Sequence, residues 1–94
     1  MKAKLVKESI INEGHANTGW QLESTNPESA KKEIMDKAKE ARNYGDGDLQ
    51  KCWKASYVGK MDYDRADRMA ERNEGTAIIF EENGKFYFTL WFRT

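Results

Sequence analysis

The chain has 94 residues, with 16 Lys and Arg balanced by 16 Asp and Glu, one histidine and one cysteine. That length suits one domain with a modest core, and zero net charge provides no global field for nucleic acid or an anionic membrane, so either would need a local patch. A lone Cys52 excludes an internal disulfide and fits a reducing, cytoplasmic compartment; no apolar run is long enough for a signal peptide or transmembrane helix.

Residues 2–12 read as a first strand, with Leu5, Val6, Ile10 and Ile11 apolar and Lys2, Lys4 and Lys7 at one end. Residues 13–18, with Gly14 and Asn17, read as a loop carrying His15. Residues 18–24 alternate, Trp20 and Leu22 to one side and Gln21 and Glu23 to the other, which predicts a half-buried strand and an N-terminal hairpin. A helix follows over residues 25–44. Asn26 can cap its amides, Pro27 suits the first turn, and Gly45 suits a left-handed end. Its apolar stripe is Ala30, Ile34, Met35, Ala38 and Ala41, and Glu28 with Lys32 and Glu33 with Lys37 are spaced for surface pairs.

Residues 51–60 alternate around Trp53, Ala55 and Tyr57, which favours a strand, although Leu49, Cys52 and Trp53 also fit one helical turn. A second helix runs from Asp62 or Asp64 to about Asn73, with a thin stripe of Tyr63, Ala66, Met69 and Ala70, and closes at Gly75. The last twenty residues carry the strongest local signal. Asn83-Gly84 between two β-rich runs predicts a two-residue hairpin turn, opposing Glu82 to Lys85, Phe80 to Tyr87 and Ile79 to Phe88. One face of that hairpin is then Ala77, Ile79, Phe86, Phe88, Leu90 and Phe92; the other is Ile78, Phe80, Tyr87, Thr89 and Trp91.

The order β-β-α-β-α-β-β predicts a single compact α+β domain over residues 1–94, a mostly antiparallel sheet of about four to five strands with two amphipathic helices on one face. Phe86, Phe88, Leu90 and Phe92, with Trp20 and Leu22, would form the core beneath the helices. The opposite face, with Phe80, Tyr87, Trp91 and Trp53 or Tyr57, is left by the helices to one of three covers. These are another element of the same chain such as the N-terminal hairpin, a protein partner or second copy, or stacked bases.

The sequence calls for no cofactor or metal. His15 has no partner at a diagnostic spacing, Cys52 has only Lys51 and Lys54 nearby, and neither the Asp46-Asp48 nor the Asp62-Asp64-Asp67 set has the spacing of a calcium loop. Asp62 and Asp64 are expected to cap a helix and Asp67 to pair with neighbouring arginines. The expected function is a small non-enzymatic protein-binding or regulatory module, of inhibitor or adaptor type, meeting a protein partner or a second copy of itself. Phe80, Tyr87 and Trp91 would be its anchors and Arg65, Arg68 and Arg72 a charged rim. A small, neutral, motif-free chain is compatible with many such regulators, including those encoded by mobile elements. The alternative is single-stranded nucleic-acid binding by the same aromatics with Lys2, Lys4, Lys7, Lys85 and Arg93. A small hydrolase or transferase built on Asp62, Asp64 or Cys52 ranks below both.

Overall fold

The computed structural model describes residues 9–12, by backbone, and 15–93. Its order is β1 (Ser9–Asn12), β2 (His15–Gln21), α1 (Pro27–Tyr44), a 3₁₀ turn (Asp48–Lys51), β3 (Lys54–Lys60), α2 (Tyr63–Glu71), β4 (Thr76–Glu82) and β5 (Lys85–Arg93). The five strands form one sheet in the order β1-β2-β5-β4-β3, antiparallel except for the β3–β4 pair. This is the expected α+β class. The early part of the expected first strand, with Lys2, Lys4 and Lys7, lies outside the described residues.

Local chemistry explains most boundaries. Asn83 and Gly84 both adopt positive φ, 54° and 76°, and the hairpin they close has the expected register, Glu82 opposite Lys85 and Phe80 opposite Tyr87. Asn26 Oδ1 accepts the Ser29 amide at 2.9 Å, Pro27 opens α1, and Gly45 ends it at φ 65°. The surface pairing differs from expectation. Glu33 turns back to accept the Ser24 hydroxyl at 2.6 Å and the Ser24 amide at 3.1 Å, bracing the entry to the helix, while Lys32 pairs with Asp36 at 2.8 Å. The ambiguous middle segment divides: Asp48–Lys51 takes the helical turn and Lys54–Lys60 the strand.

Residues 15–17 are strand rather than loop. Pairing with β5 from His15 opposite Arg93 to Gln21 opposite Tyr87 overrides the weak local preference of Asn17.

The largest correction concerns the helices, which cover opposite faces of the sheet. Ala30, Ile34 and Ala38 of α1 pack into one cluster with Ala77, Ile79, Phe86, Phe88 and Leu90, with Trp20 edge-on to Phe88 at 4.7 Å. Ala66 and Ala70 of α2 pack into another with Ile78, Phe80 and Trp91. Connectivity explains this. The pairings make β2, β3 and β4 run in one direction and β5 in the other, so β2-α1-β3 and β3-α2-β4 are both crossovers between parallel strands. Such crossovers are nearly always right-handed, and these two traverse the sheet in opposite senses, which places their helices on opposite sides.

Candidate functional site

The second sheet face is closed by α2, so the expected open aromatic surface is not present. Phe80 is 0% exposed and Trp91 4%, and Tyr87 is half-buried and stacked on Phe80 at 5.6 Å. Phe80 and Trp91 therefore cannot serve as exposed anchors in this fold. Arg65, Arg68 and Arg72 are exposed on the outer side of α2, as expected of a rim, but they face away from those aromatics.

Asp62 caps α2, its Oδ1 accepting the Arg65 amide at 2.9 Å, whereas Asp67 pairs with no arginine. Asp67 turns inward and is buried. Its Oδ1 accepts the Thr89 hydroxyl at 2.6 Å, the Trp91 indole N–H at 2.9 Å and the Asn17 amide at 3.3 Å. Three donors converge on Oδ1, which offsets part of the cost of placing an acid between a helix and a sheet. Tyr63 joins the group through the Asn17 amide at 3.5 Å. Burial, then the Asp67 charge, hold its hydroxyl well above the ordinary tyrosine range.

A different surface carries binding features. Where β2, β3 and β4 begin and β5 ends, Lys51, Trp53, Glu74, Gly75, Phe92 and Arg93 line an open cleft of about 240 Å³. Trp53 is 64% exposed, and its backbone amide donates to the Gly75 carbonyl at 2.7 Å. The Arg42 guanidinium lies over the indole, 4.4 Å from its centre, and donates to the Cys52 carbonyl at 2.6 Å, so the aromatic has a fixed neighbour on one face. At φ 87° Gly75 holds a conformation that side chains disfavour, and a Cβ there would stand 3.5 Å from Trp53 Cδ1.

The chain matches no family model, no curated protein and no solved structure.

His15 does have a carboxylate partner. Its Nδ1 is hydrogen-bonded to Glu74 Oε2, while Glu74 Oε1 lies 3.7 Å from Arg93 Nε, so the two strand ends are joined beside the cleft. The 59-residue separation of His15 and Glu74 hides that pair from any spacing rule. Cys52 is fully buried, its thiol donating to the Lys54 carbonyl at 3.2 Å, and burial pushes it above the ordinary thiol range. A thiol so placed is a poor nucleophile. Lys85 and Arg93, both exposed, stand at opposite ends of β5, roughly 27 Å apart along an extended strand.

Asp67 is misplaced by the sequence pattern, and Trp53 is not singled out by it as a site. Trp53 shares with Ala55 and Tyr57 an alternation that reads as strand, but it precedes β3 and is exposed. Asp67 adjoins Ala66 within the arc of Tyr63 and Ala70, so its position on the apolar stripe is its one visible signal.

Proposed function

We propose that the protein is a small non-enzymatic binding module that acts by occupying a surface of a protein partner, with Trp53 as its contact anchor. The observation that carries this reading is the exposed Trp53 indole clamped by Arg42 at the edge of a cleft. Scattered exposed aromatics are ordinary, and Tyr44 at 79% exposure is one. Trp53 differs because a hydrogen-bonded guanidinium fixes it, which lowers the ordering cost of contact, and because tryptophan and arginine dominate the energetic centres of interfaces. Arg65, Arg68 and Arg72 supply a second exposed charged surface on α2. A cytoplasmic regulator or inhibitor fits a chain whose one cysteine is buried and forms no disulfide within it. Nucleic-acid binding is supported less, since Lys85 and Arg93 are too far apart to flank one aromatic.

Immobilised wild type and Trp53→Ala, matched for circular dichroism, test the proposal by affinity capture. A captured protein should be lost with Trp53→Ala, corresponding to about tenfold or greater weakening. Equal capture by both would reject the anchor. Sedimentation of the protein alone identifies a second copy as the partner if Trp53→Ala abolishes a dimer.

A further inference from the structure

We infer that the cleft takes an acidic segment of a protein partner, with a carboxylate between Lys51 and Arg93 and a neighbouring apolar side chain against Trp53. This rests on the reading of Trp53 as the contact anchor and adds the chemistry of what meets it.

Charge selects the occupant. Lys51 and Arg93 line the cleft, Arg42 clamps its tryptophan and Lys54 follows it, against Glu74 as the one acid in the lining. The chain is neutral as a whole, so this concentration of cations is local. Glu74 is already engaged by His15 and Arg93, and no acid pairs with the Lys51 or Lys54 ammonium among the described residues. An incoming carboxylate therefore meets Lys51 without first displacing an acid from it, and shares Arg93 with Glu74.

Size and shape select a peptide. About 240 Å³ lies below the roughly 300–1,000 Å³ of pockets that enclose whole small ligands, and it accommodates one or two side chains. Phe92 is buried in the core beneath the cleft, so the exposed apolar surface is the Trp53 indole. A nucleic acid would need several stacking aromatics along a positive groove. Here the cleft offers a single exposed indole, with Arg42 over one face and Gly75 at its Cδ1 edge.

The test uses fluorescein-labelled peptides with Glu-Leu-Glu and Glu-Phe-Glu cores, their Gln- and Lys-substituted counterparts, and labelled oligothymidylate. Anisotropy is read against wild type, Lys51→Glu and Trp53→Ala. The Glu peptides should bind about tenfold tighter than the Gln peptides. Lys51→Glu should abolish that preference, and Trp53→Ala should weaken the Glu peptides by about tenfold or more. Equal affinity for Glu and Gln peptides, no binding up to about 1 mM, or preference for oligothymidylate overturns the inference. Failure of the two readings separates cleanly: a captured partner sensitive to Trp53→Ala but indifferent to Lys51→Glu removes the acidic assignment alone, whereas indifference to Trp53→Ala removes the anchor itself.

Discussion

Asp67 on α2 accepts the indole N–H of Trp91 on β5 at 2.9 Å, through the same oxygen that takes the Thr89 hydroxyl and the Asn17 amide. The buried residues that α2 offers the sheet are two alanines and this aspartate. Alanines bury little apolar area, so the helix is keyed to its site by a charge-assisted set of hydrogen bonds as well as by packing. That contact closes the aromatic face and leaves Trp53 as the exposed tryptophan.

Asp67→Ala removes the acceptor that the buried Thr89 hydroxyl, Trp91 indole and Asn17 amide share. The expected loss is about 3 kcal/mol in urea unfolding, while Asp64→Ala on the exposed side should stay within about 0.5 kcal/mol. Equal small losses for both would show that the buried network contributes nothing to holding α2.

Tyr63 makes stability depend on alkaline pH. Its hydroxyl is raised from an ordinary value of 10.0, so above that pH the unfolded chain releases a proton that the folded chain retains. A raised value contributes stability that is complete below the unfolded pKa and is lost as pH rises through the folded one. Urea midpoints should therefore fall more steeply between about pH 9 and about pH 11 for wild type than for Tyr63→Phe. Parallel profiles would contradict the assignment.

Gly19 is required by close approach. A Cβ there would lie 2.3 Å from the Phe88 carbonyl oxygen on the paired strand, which a rigid backbone cannot yield. Gly19→Ala should cost about 3 kcal/mol, against about 1 kcal/mol for Gly45→Ala, where φ is positive but space is open. Thermal melts of the two variants give the order.

Cys52 should be silent in the folded protein. Its burial and raised pKa predict that a disulfide-exchange reagent at about pH 8 reacts only at the rate of unfolding, and fully in denaturant. Immediate native reaction would place the thiol at the surface.

The sequence made the local features legible. Asn83-Gly84 set the hairpin register, Asn26-Pro27 and Gly45 bounded α1, and alternation assigned both hairpin faces correctly. What it could not convey was long-range. The parallel pairing of β3 with β4, which sends α2 to the far face, is not encoded in any short pattern. The inward turn of Asp67 was masked by neighbouring arginines that offered the usual surface pairing. Trp53 did not stand out as a site because its clamp, Arg42, comes from α1, distant in sequence.

Amide exchange of the partner-bound against the free protein tests the Trp53 anchor most directly. Protection should gather at residues 51–54, 74–76 and 92–93, the segments that build the cleft, with the outer side of α2 unchanged. Protection confined to α2 around Arg65, Arg68 and Arg72, with the cleft still exchanging freely, would contradict it.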